Sequence, residues 1–281
     1  MKLLVAGDAR VDAGKTTFAA GLLASLSGAV GFKPRAGNDY WFDHDDVATA
    51  LAEGRLYGKD IATLTAAASE GVDRDLHEEA LNPVHRLWRP TPDRTGLLGE
   101  SGRTFLVDRI TTSDGPQFVV NGAAEDAGLL ADRLFETLPL VDAPRVRTVD
   151  GFNELMAERY LPAFERVTKR IADTDPAVVE SYSDIALPVD GISFDAVAVV
   201  GPTRGRIYDG ERYLKACEVA SGSAREGQLE ERVDRVVEMI EPVSTHDLTP
   251  LTSAERNDPQ QTANEYEPVY EALLEQAFIG E

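Results

Sequence analysis

The first seventeen residues constrain the fold more than any other part of the chain. "KLLVAG", residues 2–7, is a short apolar run that ends in glycine and reads as a buried strand. "KTTFAAGLLASL" then spaces Phe18, Leu22, Leu23 and Leu26 along one helical face. Between them lies "GDARVDAGKTT", residues 7–17. Strand, glycine-containing loop, Gly-Lys-Thr and amphipathic helix are the parts of a phosphate-binding loop, whose usual pattern is G-x-x-x-x-G-K-[ST]. Counted back from Gly14-Lys15-Thr16, the first glycine of that pattern falls on Ala9, and a glycine stands two residues earlier at Gly7.

The chemistry asks for these residue types. A helix N-terminus presents backbone N–H groups with no intrahelical acceptor and a partial positive charge, which suits phosphate. Gly14 lets the backbone approach the anion, Lys15 adds a full charge at the terminal phosphates, and Thr16 offers a hydroxyl to Mg²⁺. The other reading is a surface Gly-Lys-Thr at the start of an ordinary helix. "GFKPRAG", residues 31–37, places Lys33 at the carboxyl end of the strand beside this loop, the edge where open α/β sheets bind ligands. There Lys33 clamps a phosphate or a substrate carboxylate, or is a solvated loop lysine.

The β-loop-α-β start argues for a parallel sheet. "PAVVESYSDIALP" and "FDAVAVVGP" read as further central parallel strands, and "ALNPVHRLWRPTP" as extended. "RTFLVDRITT" and "PQFVVNG" flank Ser113-Asp114-Gly115 and read as a hairpin. "EDAGLLADRLFETL" reads as one helix. "GFNELMAERYLPAFERVTKRIAD" reads as a long helix that Pro162 kinks or divides. The expected architecture is an α/β three-layer αβα P-loop fold, with a mainly parallel sheet, helices on both faces and an antiparallel hairpin insertion. The expected domain covers 1–251, with the insertion at about 70–150; 252–281 is expected to hold a polar linker and a C-terminal helix.

Charge narrows the partners. Forty-nine acidic residues against 28 basic ones give a net charge of −21. That field repels nucleic-acid phosphates and anionic membranes, so neither is an expected partner. The dispersed carboxylates resemble those of proteins from salt-in halophiles, since the charge far exceeds the usual magnitude of about 2–8 for a small domain. No apolar run reaches the roughly 18–20 residues that span a bilayer, and the N-terminal run is too short for a signal peptide; a cytoplasmic location is expected. Cys217 is the sole cysteine, which excludes an intrachain disulfide and a cysteine-cluster zinc site.

With "GDARVDAGKTTF", "GFKPRAGNDYW" and "VVESYSD" in hand, the chain resembles the dethiobiotin synthetase branch of the SIMIBI class of P-loop NTPases. It also resembles, more closely, a group of archaeal proteins described only as predicted P-loop ATPases or GTPases. The resemblance implies nucleotide contacts from Asp12, Ala13, Gly14, Lys15, Thr16 and Thr17, with Asp12 at the family's acidic loop position. It implies that Lys33 helps hold substrate and transferring phosphate, and that Glu180 supports Mg²⁺ beside Thr16. Lys15, Lys33 and Glu180 are the expected catalytic set. A family aspartate near "NDYWFDHDD", residues 38–46, joins the magnesium shell, which points to Asp43 or Asp46; hard cations take carboxylate oxygens. The alternative for this stretch is an acidic helix start. Tyr40 and Trp41 line a pocket, make a dimer contact or lie in the core. The chain departs from the branch in a longer loop, in "ESYSD" where the synthetases have "EGAGG", and in a longer middle region.

Lesser signals are "NPVHRLWRP", which reads as a basic patch or a structural strand, and Arg204 and Arg206 on the expected ligand side of the sheet. The absence of an N-K-x-D guanine motif favours ATP, with GTP as the alternative. The expected function is Mg²⁺-dependent phosphoryl transfer or hydrolysis. Either ATP activates a small carboxylate substrate, as in a ligase, or the nucleotide switches a protein that drives a partner protein. A homodimer is the default assembly for the class.

Overall fold

The computed structural model describes residues 1–8, 13–68, 77–220 and 231–279. The chain begins with β1 (Lys2–Gly7), α1 (Lys15–Ser25), β2 (Val30–Phe32), β3 (Arg35–Asp39), α2 (His44–Ala52), α3 (Lys59–Ala67) and α4 (Glu78–Leu81). Strands β4 (Val84–Thr95), β5 (Ser101–Thr112) and β6 (Gly115–Asn121) follow, then α5 (Gly122–Asp126), α6 (Asp132–Thr137), β7 (Arg145–Val146), α7 (Val149–Leu155) and α8 (Leu161–Asp173). The last part holds β8 (Ala177–Glu180), β9 (Ala196–Gly201), β10 (Arg204–Asp209), α9 (Gly210–Ala220), α10 (Val233–Val237), β11 (Ser244–Asp247), α11 (Ser253–Arg256), α12 (Pro259–Glu265) and α13 (Glu267–Ile279).

The result is an α/β protein with two mixed sheets in two compact units, where one mainly parallel sheet with a hairpin was expected. One unit comprises Met1–Pro34, Thr63–Asp75 and Thr168–Glu281; the other comprises Arg35–Ala62 and Leu76–Val167. The second unit overlaps the expected insertion but begins at Arg35. Among the described residues, no helix is long and apolar enough to cross a membrane.

The first unit holds a six-stranded sheet in the order β11-β10-β9-β1-β8-β2. β1 runs parallel to both β8 and β9, and β2 runs parallel to β8. β10 and β11 add antiparallel pairings at the other end. β8 and β9 are buried throughout, and so is β1 from Leu3 onward. That burial is why they read as unbroken apolar runs. β2 does not neighbour β1 as expected, because β8 lies between them. Helix α1 buries Phe18, Leu22 and Leu23, and the Tyr270 hydroxyl of α13 donates to the Phe18 carbonyl at 2.8 Å.

The expected linker over 252–263 is mostly helical. Thr252 and Glu255 form a reciprocal capping box that starts α11. The Asp258 side chain caps α12, whose first residue is Pro259. "EGQLEERVDRVVEMIEP", residues 226–242, reads as a helix from its sequence; residues 226–230 lie outside the described set, and of the rest only Val233–Val237 is helical, as α10.

The second unit holds a five-stranded sheet, β3-β4-β5-β6-β7. The expected hairpin is present as antiparallel β5 and β6. Neighbouring residues enter different apolar clusters: Leu87 and Val120 go to one, Trp88 and Val119 to the other. That division follows from the period-2 alternation of side chains along a strand. The single helix expected after β6 is two, α5 and α6, the first capped by the Asn121 side chain. Pro162 acts on the long helix as its chemistry requires. A π-helical turn over Met156–Tyr160 joins α7 to α8 just before the proline, which has no N–H to give an α-register bond.

Candidate nucleotide site

The site is built where β1, β8 and β2 end and α1 begins. Gly14 precedes α1 with φ +83°, a left-handed conformation that favours glycine, and a Cβ there would meet no described atom within 4 Å. The requirement for glycine that the described residues show is therefore this left-handed φ. Among the described residues, no side chain caps the start of α1, and no acidic residue lies in its first turn. Its terminal N–H groups therefore keep their anion-binding character.

At Gly7, the displaced glycine, a Cβ would lie 2.8 Å from both Cδ and Nζ of Lys15, so the lysine side chain folds over the end of β1 and would have to shift for a larger residue. The Lys15 ammonium donates to the Ser183 carbonyl at 2.7 Å, in the segment that follows β8. Ser183 adopts φ +54°, rare for a residue with a Cβ.

One carboxylate gathers the rest. Glu180, the last residue of β8, has no solvent exposure. Its Oε1 accepts from Lys33 Nζ at 2.6 Å and from Thr16 Oγ1 at 2.8 Å. Lys33 is 3 % exposed. Residues from three distant parts of the chain thus meet at one oxygen atom. Thr16 Oγ1 and Glu180 Oε1 are hard donors within reach of one small ion, a set that fits magnesium.

Two neighbours were not expected as site residues. Asp8, just past β1, accepts from Arg206 at 3.0 Å; Arg204 is exposed. Asp184 pairs with Arg232 and accepts from the Ser183 hydroxyl at 3.2 Å. Burial pushes the Asp184 carboxyl up, but hydrogen bonds from Arg232, its own backbone and Ser183, with the Arg232 charge, outweigh this and leave it below its ordinary value. No local sequence signal marks Ser183 as a partner for Lys15.

The remaining expected residues stand as follows. Ala13 is buried and Thr17 is half-buried in the first turn of α1. Asp12 lies outside the described residues. Asp43 and Asp46 belong to the second unit. Asp43 precedes α2, and its carboxylate accepts from the Asp39 backbone N–H at 2.6 Å. Burial raises the Asp46 carboxyl, opposed by Lys59 and assisted by Asp43, Asp60 and Asp45. Among the described residues, no group of three or more His, Cys, Asp or Glu side chains is placed to hold a metal ion. Tyr40 packs against an apolar cluster, whereas Trp41 is 70 % exposed. Of the two readings of "NPVHRLWRP", the structural strand holds: the stretch runs into β4, His85 is fully buried, Arg86 grips Asp108, and Arg89 donates to the Leu129 carbonyl.

No protein-family model matches the chain, and no curated protein matches it.

Proposed function

We propose that the first unit is a three-layer αβα P-loop domain that binds ATP, with GTP as the alternative, and carries out Mg²⁺-dependent phosphoryl transfer or hydrolysis. The observation that carries this reading is the meeting of Thr16, Lys33 and Glu180 at the N-terminus of α1, which Lys15 heads. Lys15 and the first N–H groups of α1 bind the phosphates. Lys33 is close enough to share their charge. Thr16 and Glu180 would hold the magnesium ion, which supplies charge neutralisation at the transferring phosphate. Catalysis is then positioning and electrostatic stabilisation of the transferring phosphate.

The link from Lys15 to Ser183, and from Ser183 through Asp184 to Arg232, favours the nucleotide-switched form of this activity, acting on a partner protein. A phosphate that draws Lys15 away would remove a contact on the segment after β8. Activation of a small carboxylate remains the enzyme form of the same chemistry.

Calorimetric titration of ATP and GTP in molar KCl, with and without Mg²⁺, tests the reading. Wild type should bind one of them, and Lys15→Ala should lose at least 100-fold in affinity. Binding by Lys15→Ala equal to wild type would remove the assignment.

A further inference from the structure

We propose that Lys33 and a divalent cation compete for the same oxygen of Glu180, so that Lys33 sets how much free metal the site requires. The inference rests on reading Thr16 and Glu180 as the metal-holding pair. Its own basis is geometric: the ammonium lies 2.6 Å from Oε1, the atom that Thr16 also contacts at 2.8 Å. A magnesium ion takes its oxygen ligands at about 2.0–2.1 Å. It cannot bind that oxygen with an ammonium in place without strong like-charge repulsion beside a carboxylate that has no solvent exposure.

The burial makes the exchange obligatory in both directions. Glu180 is fully buried and Lys33 is 3 % exposed, so the carboxylate needs a cation beside it. Lysine suits an exchangeable role, being a compact charge on a flexible four-carbon stem. Magnesium gives up its own water reluctantly, so free metal competes poorly with an internal ammonium. Metal that arrives with a polyphosphate brings negative charge to which Lys33 can move. Metal and nucleotide should therefore bind with positive coupling, and Lys33 is the residue that produces it.

The test is titration of the full chain with Mn²⁺ alone, following the paramagnetic resonance signal of the free ion. Wild type and Lys33→Arg should bind weakly, Lys33→Met at least ten-fold more tightly, and Glu180→Gln below wild type. Equal affinity in wild type and Lys33→Met, weaker binding by Lys33→Met, or no binding by any of the four proteins would overturn the proposal. Should Lys33→Met fail to fold, acetylation of Lys33 in wild type, quantified by mass spectrometry, gives a second reading. Bound Mn²⁺ should raise Lys33 reactivity, and unchanged reactivity with Mn²⁺ bound would overturn the competition. The two readings separate cleanly. Lys15-dependent nucleotide binding with no Lys33 effect on Mn²⁺ sinks the competition alone. A ten-fold Lys33 effect without nucleotide binding sinks the nucleotide assignment alone.

Discussion

Each unit contains a fully buried carboxylate that accepts from a cationic side chain and from a hydroxyl, and the two clusters are arranged differently. In the first unit, Lys33 and Thr16 both donate to one oxygen of Glu180. In the second, Arg86 grips both oxygens of Asp108 at 2.7 and 2.6 Å, and the Tyr160 hydroxyl adds a bond at 2.6 Å. Arg86 also lies over the rings of Trp88, Phe105 and Phe152. A planar guanidinium that fills both lone-pair sides of a carboxylate and stacks on aromatics is locked. A point-charge ammonium on one oxygen, at strand ends beside a helix N-terminus, is exchangeable. Two fully buried carboxylates therefore need not behave alike; the identity of the cation and its place on the sheet separate a locked cluster from the one proposed above to be exchangeable.

The largest effects should come from removing each cation. Arg86→Met is expected to cost about 3–5 kcal/mol of stability, the usual result of leaving a buried charge without its partner. Lys33→Met should cost a comparable amount in chelator, and millimolar Mg²⁺ should restore much of it. Guanidinium unfolding of both variants, with and without Mg²⁺, checks the pair. Equal rescue of the two by Mg²⁺ would erase the distinction.

Removing the hydroxyls should have intermediate effects. Tyr160→Phe deletes a bond to a buried charge and should cost about 1.5–3 kcal/mol. Burial and the Asp108 charge hold the Tyr160 phenol well above its ordinary value, so it remains a donor at all working pH values. Thr16→Val should cost less, about 1 kcal/mol, because Thr16 is only half-buried, and should weaken Mn²⁺ binding. Denaturation midpoints for both variants would test the order; a larger loss for Thr16→Val would reverse it.

The smallest effect concerns the ion pair beside the site. Asp184 has a folded-state carboxyl below its unfolded value of about 3.9, so the native state binds fewer protons there. Its contribution is complete above that value and is lost as pH falls through the folded value. Melting curves from pH 6 to pH 3 should therefore steepen in their loss of stability below about 4. Arg232→Ala should flatten that part of the profile, and an unchanged slope would exclude the pair as a contributor.

Much of the first unit was legible because its signals are local. β1, β8 and β9 are apolar runs, and Lys15 and Thr16 sit in a motif; α1 was legible as a helix, although it buries every residue from Phe18 to Leu23 and ends before Leu26, so the single apolar face expected of it is not what packs. Part of what was misread was also written locally. Thr252-Ser-Ala-Glu255 fits the capping-box pattern, and Asp258-Pro259 is a helix start, yet polarity alone suggested a linker. β3 could not be read this way: "RAGND" has no strand-forming residues and becomes a strand by pairing with β4.

The sequence by itself determined the parts: a strand, a lysine and a threonine at a helix start, a second lysine near a proline, and a glutamate ending an apolar run. These follow from periodicity and local backbone chemistry, which act over a few residues. The tertiary structure alone decided that Thr16, Lys33 and Glu180 share one oxygen, that β8 separates β1 from β2, and that Arg86 and Asp108 close a cluster of their own. Pairings across up to 164 residues depend on strand order and register, and neither property resides in any local stretch of chain.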